Sequence, residues 1–313
     1  MKRRVIKQGH NTLTITLPAQ WVKANSINAG EEVNILTENN NLTISKEGGN
    51  NVKRKLTIDL KSNDYQFIRL TLNNIYRMGV DVLRVNFKTN KQFEYVQEIS
   101  NLNLIGFEVV KKGKDYCVLE NIAEPSDGDI NVLLRRIFLI IKETLEFLEE
   151  DLSLKDHTSI NYIIQQSKKI EQFDNFAKRL IYKGKIENLY DSHFYWLLLH
   201  YLQLIGRAFY HMYKFIEMKE KIEISDILIK NFGKMRQCFN LFYDNFFQKN
   251  IEGIGEANKR IKDLLYNDFY QSFPKFNDDE LIIAHWVAEI NRIMTLFISP
   301  SLGIVYHGDT EEV

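Results

Sequence analysis

Polar and apolar residues alternate through Thr12-Leu13-Thr14-Ile15-Thr16-Leu17, the rhythm of a half-buried strand, and Pro18 stops it. Val33-Asn34-Ile35-Leu36 and Leu42-Thr43-Ile44 repeat that rhythm on either side of a turn, Glu38-Asn39-Asn40-Asn41, in which asparagine tolerates a positive φ. A short helical turn over Ala19–Ala24 lies between these strands, and Ser45–Asn51, with Gly48-Gly49, reads as a linker. From Val52 to Ala123 the rhythm changes. Strands are predicted at 54–60, 82–87, 106–111 and 116–120, with a Lys112–Asp115 turn between the last two and helices at 64–78 and 92–102. From Asp127 to Ser299 the period is helical throughout. Ile130, Leu133, Leu134, Ile137, Phe138, Ile141, Leu145 and Leu148 recur at steps of mostly three and four and form one apolar stripe. Further helices are predicted at 157–183, 192–219, 225–248, 253–271 and 278–298, with Pro300 ending the last one. Six helices joined by short loops suggest two antiparallel three-helix bundles.

The expected fold is therefore multidomain α+β: a β-module over 1–51, an α/β unit over 52–123, an all-α domain over 124–300 and a loose tail over 301–313. A length of 313 residues agrees, because it exceeds what a single core usually supports. The 41 basic and 41 acidic residues balance, so any preference for nucleic acid must be local. It is local at one place: Met1–Gly30 holds Lys2, Arg3, Arg4, Lys7 and Lys23 and no acidic residue. Clustered Lys and Arg displace counterions from a phosphate backbone, which makes this stretch a candidate DNA contact. Cys117 and Cys238 are too few and too far apart for a disulfide framework and read as small buried apolar residues. With no signal-peptide pattern at the N-terminus, the expected location is the cytoplasm. The best membrane-spanning candidate, Phe194–Phe215, is interrupted by His200, Gln203, Arg207, His211 and Lys214 and reads as a buried helix, so no membrane insertion is expected.

The series Arg3-Arg4-Val5-Ile6-Lys7-Gln8-Gly9-His10, Leu13–Pro18, Trp21-Val22-Lys23 and Ala29-Gly30-Glu31-Glu32-Val33 resembles the AbrB (SpoVT-AbrB) swapped-hairpin family over about residues 3–47. The resemblance implies two chains that interleave hairpins into one small barrel, hence a homodimer, with DNA as a partner. A lone module of this size is too small to bury a core, which points to the same conclusion. Arg3, Arg4, His10 and Lys23 stand where the family carries basic DNA-contacting residues; two of these four are not arginine, which favours phosphate over base-specific contact. The candidate DNA-binding set is Lys2, Arg3, Arg4, Lys7, His10 and Lys23.

The order of modules, together with Leu104–Val110, Asn131–Phe138 and Glu171-Gln172-Phe173-Asp174 followed by Lys178-Arg179-Leu180, resembles the archaeal PhoU-like phosphate-uptake regulators along nearly the whole chain. That resemblance implies control of phosphate uptake and two three-helix bundles that often bind metal through acidic residues. Here Leu202-Gln203-Leu204-Ile205-Gly206-Arg207 and Ile290-Asn291-Arg292-Ile293-Met294-Thr295 lack the family's carboxylates, so its usual multinuclear metal site is not expected, nor any cofactor. Glu171 and Asp174 are the surviving weak metal candidates. They lie on one helix face, and Arg207 either stands in for a metal beside them or the pair is an ordinary surface ion pair. His193, His200 and His211 share one stripe, but seven residues is roughly 10 Å of rise, too far for two of them to share a metal unaided. The aromatic density from Tyr190 to Phe247 reads as core. No Gly-rich phosphate loop, nucleophile signature or His-Glu-x-x-His helix is present, so no enzyme activity is expected. The leading function is a DNA-binding transcriptional regulator of phosphate uptake. The alternative is an adaptor that docks on the ATPase of a phosphate transporter and uses its first module only to dimerise.

Overall fold

The computed structural model describes residues 2–10, 12–38, 41–46, 53–122, 130–154, 160–184, 192–219 and 222–307. The chain divides into two compact units, Met1–Lys53 and Arg54–Glu311.

The first unit is two hairpins and a helical turn. β1 (Ile6–Gln8) pairs antiparallel with β2 (Thr12–Thr14) across a turn in which Gly9 takes φ +78°. Helix α1 spans Ala19–Ala24, and β3 (Val33–Glu38) pairs antiparallel with β4 (Asn41–Lys46), Ile35 facing Ile44. β4 therefore reaches into the predicted linker; residues 47–52 and the turn at Asn39-Asn40 lie outside the described set. Lys46 fastens the hairpin to the end of α1. Its ammonium donates to the carbonyls of Asn25 (3.4 Å) and Ser26 (2.9 Å) and pairs with Glu31 at 3.1 Å. Cations belong at a helix C-terminus, where carbonyl groups lack intrahelical partners.

The second unit opens with a four-stranded sheet. β5 (Lys55–Asp59) runs parallel to β6 (Val82–Asn86); β7 (Phe107–Lys112) and β8 (Tyr116–Asn121) form a hairpin, and β8 inserts beside β6 to give the order β5-β6-β8-β7. Helix α2 (Tyr65–Arg77) crosses over between the parallel strands and α3 (Asn90–Asn103) precedes β7. Both starts were written locally. The Asp64 side chain accepts from the Phe67 N–H at 2.7 Å, and Thr89 and Gln92 form a reciprocal capping box. Leu83, Val85, Cys117 and Leu119 point inward at period two and are fully buried.

The helices that follow are α4 (Ile130–Leu154), α5 (Ile160–Tyr182), α6 (Ser192–Glu217), α7 (Asp226–Phe247), α8 (Ile251–Asp263), the single turn α9 (Tyr270–Ser272) and α10 (Asp278–His307). α4, α5 and α6 pack mutually, as do α7, α8 and α10, and the two trios are fused along α6 against α10 and α4 against α7. Phe138 of α4 sits in the seam, 5.6–6.5 Å from the rings of Phe239, Phe242, Tyr243, Phe246, Phe247 and Phe297. Much of the aromatic density is thus core.

Two helix ends differ from expectation. The predicted helix 253–271 breaks into α8, a π-helical turn over Leu264–Phe269, α9 and a 3-10 turn over Phe273–Lys275. At the far end, α10 passes through Pro300 to His307, so the expected loose tail is helical as far as 307. Proline removes one backbone donor. Packing outweighs that loss: Ser301 and Val305 are buried, the Ser301 hydroxyl donates to the Phe297 carbonyl at 2.7 Å, and a Cβ on Gly303 would lie 2.6 Å from the Phe194 ring of α6. By length and composition Asp278–Tyr306, rather than Phe194–Phe215, is apolar enough to cross a membrane. Half of it is buried within the unit, where it lies along α6.

Candidate nucleic-acid interface

Lys2, Arg3, Arg4, Lys7, His10 and Lys23 are all exposed, and among the described residues none of their side chains makes a hydrogen bond or ion pair. β1 carries Lys7, opposite Leu13 in register, the Gly9 turn carries His10, and the last turn of α1 carries Lys23. The first acidic residue along the sequence, Glu31, is already engaged. It accepts from Asn28 and from Lys46, contacts that hold its carboxyl below the ordinary carboxylate range. The five Lys and Arg side chains and His10 therefore face solvent with no carboxylate bound to them among the described residues.

The same unit lacks an interior. Among its described residues none is buried, and Val5, Ile6, Leu13, Ile15, Ile35 and Leu42 are 46–69% exposed. Large apolar side chains displayed at this density in so small a unit mark a surface meant to be covered.

The candidates in the helical region belong to a different structure. Arg69, Asn73 and Arg77 recur every four residues on one face of α2 and meet α5. Arg69 grips both oxygens of Glu171, which also accepts from Asn73 at 3.0 Å. Arg77 donates to Asp174 at 2.9 Å and to Asn175 at 2.7 Å, and Lys178 lies 2.6 Å from the other Asp174 oxygen. One turn further, Arg179 and Lys183 reach Asp81 at 2.8 and 2.6 Å, and Arg179 also donates to the carbonyls of Tyr76 and Val80. Asp174 is wholly buried and Lys178 and Arg179 nearly so. Burial pushes the Lys178 amine down, against the pull of Asp174. At Asp81 burial raises the carboxyl, but hydrogen bonds from Lys183 and the Arg54 N–H outweigh it and leave the group below its ordinary range.

This seam corrects two expectations. Glu171 and Asp174 are not a surface pair, and Arg207 is not their cation; Arg69, Arg77 and Lys178 are. Sequence reading missed Arg69, Arg77 and Asp81 because their partners lie about 100 residues away. A polar row at i, i+4 and i+8 beside the apolar stripe of α2 was the available signal. Five cations here share three carboxylates, which leaves no carboxylate free to ligate a metal. Among the described residues no group of three His, Cys, Asp or Glu side chains is placed to hold one. His211 stacks on Trp286 of α10 at 5.2 Å, and burial and the Arg207 charge hold its imidazole below the usual range.

Compared with known proteins, residues 6–51 match the family described as "Antidote-toxin recognition MazE, bacterial antitoxin". No curated protein matches the chain. A MazE/AbrB-like, antitoxin-type domain therefore heads the chain, followed by a mostly helical region.

Proposed function

We propose that the chain is a non-catalytic, cytoplasmic regulator that acts as a homodimer and binds DNA through its first unit. The observation that carries this reading is the coincidence, in one small module, of six uncommitted basic side chains with an apolar set that nothing in the unit covers. Covering each such side chain is worth roughly 1.5–3 kcal/mol, so a second copy supplies the core that one copy lacks. Interleaved hairpins, the arrangement implied by the AbrB resemblance, would do this and would double the basic surface. A doubled surface of this kind suits the phosphate backbone. With His10 and Lys23 among the contacts in place of arginine, phosphate contacts outnumber base contacts and sequence selectivity is modest. We assign phosphate uptake as the regulated process on the PhoU-like resemblance of the helical region, whose six long helices fall into two trios. The MazE match favours a second reading, an antitoxin-type regulator whose partner is a toxin protein.

The test is fluorescence anisotropy of a labelled DNA duplex titrated with the full chain at several salt concentrations. The expected log–log slope is steeper than about −4, at roughly −0.9 per phosphate neutralised, and Arg3→Ala with Arg4→Ala should flatten it. A slope near zero, or no binding at low salt, overturns the reading.

A further inference from the structure

Between α2 and α3 on one side and α5 and α6 on the other lies a cleft of about 600 Å³. Gly206 explains why it has its shape. A Cβ there would stand 3.1–3.3 Å from the Ile170 side chain, so its absence lets α6 close on α5 and brings the next residue, Arg207, to the cleft beside Glu171. Around the walls, Arg69 and Glu171 neutralise each other, and Glu98 accepts from the Tyr65 hydroxyl at 3.2 Å. Burial and the Glu98 carboxylate push that hydroxyl up to about 12, so it stays a donor. Against the remaining carboxylate, Glu98, stand two cations without a carboxylate partner, so the lining carries one positive charge in excess. Arg207 and Lys168 are exposed to the cleft and make no hydrogen bond or ion pair among the described residues. The remaining wall includes Leu70 and Leu102, 50% and 41% exposed, large apolar side chains turned to solvent beside a free guanidinium.

We infer that this cleft is a binding site for an organic anion, an acidic group on an apolar or aromatic body, with Arg207 and Lys168 holding the acid and Leu70 and Leu102 the body. The planar guanidinium suits a carboxylate, sulfonate or phosphoester through two parallel hydrogen bonds. Volume decides between a bare oxyanion and a larger molecule. Sites for small organic ligands run to about 300–1,000 Å³, and an inorganic ion would leave most of this cleft unfilled. The imidazole of His211, stacked on Trp286 one helical turn from Arg207, adds a polar group to the wall. Because the site joins the sheet unit to the helix bundle, occupancy would bias how the two pack, a route by which a metabolite could reach a regulator. The inference itself does not depend on DNA binding.

The experiment is a fluorescence titration of the full chain with 1-anilinonaphthalene-8-sulfonate, an aromatic sulfonate, beside the uncharged N-phenyl-1-naphthylamine. Expected is one saturable sulfonate site per chain, weakened at least tenfold by Arg207→Gln and by Leu70→Trp, which fills the apolar half. Both residues are exposed, so unchanged melting temperatures should confirm that the variants fold. Phenylacetate should displace the probe and inorganic phosphate at equal concentration should not. Sulfonate binding unchanged in both variants, equal binding of the uncharged probe, or displacement by phosphate as effective as by phenylacetate each overturns the inference.

Discussion

The two units of this chain treat charge and apolar surface in opposite ways. In Arg54–Glu311 apolar side chains fill a continuous core and basic side chains are drawn into the α2–α5 seam, where even Lys178 and Arg179 are nearly inaccessible. In Met1–Lys53 nothing described is buried, and Lys2, Arg3, Arg4, Lys7 and Lys23 are exposed and carry no ion pair among the described residues. Buried ion pairs add little net stability but cost several kcal/mol when one partner is lost, whereas unpaired surface cations are available to a polyanion. The second unit uses its charges to fix one packing; the first leaves most of its basic side chains facing solvent.

The largest effect should come from attacking the apolar surface of the first unit. Replacing Leu13 and Ile35 together by Asp should abolish the dimer and unfold the module, while the cooperative melt of the second unit persists; sedimentation together with circular dichroism would show both. If such a chain stayed dimeric with an intact module, the contrast drawn above would be wrong. Next in size is Asp174→Ala, which strands Arg77 and Lys178 inside the seam and should cost about 3–5 kcal/mol of second-unit stability by urea unfolding. A smaller loss, about 1.5–3 kcal/mol near neutral pH, is expected for Asp81→Asn, which removes a charged acceptor of several hydrogen bonds. The Asp81 carboxyl lies below its ordinary range in the folded state, so its contribution is complete above the unfolded value of about 4 and disappears as pH falls through the folded one. The gap between wild type and Asp81→Asn should accordingly be constant near neutrality and close in acid, and a gap independent of pH would contradict that origin. The smallest is Thr89→Ala, which breaks the capping box of α3 for about 1 kcal/mol, a shift readable in the same urea curves.

What the sequence disclosed follows from the range over which its signals act. The three-and-four spacing of Ile130 to Leu148 marks α4, and the helices expected at 64–78 and 92–102 fall within about two residues of α2 and α3, because amphipathicity is decided within one or two turns. The basic start of the chain was visible for the same reason. The seam was not. Arg69 finds Glu171 and Arg77 finds Asp174 only after the helices dock, and periodicity carries no information about which polar rows will face each other. Pro300 misled because its local cost is real, yet the close approach of Gly303 to Phe194 and the burial of Val305 outweigh it. Arg207 was expected beside Glu171 and does line the same cleft, but the cation that pairs with Glu171 is Arg69 of α2, which spacing along the chain could not supply.

The seam also sets a timetable for synthesis. Arg69, Arg77 and Asp81 emerge from the ribosome about 100 residues before the α5 side chains that neutralise them. At about 5–20 residues per second, the sheet and its two helices wait roughly 5–20 s with their charged face open to solvent. During that interval the nascent chain displays basic groups from both its first module and α2, and only completion of α5 withdraws Arg69 and Arg77 from that display.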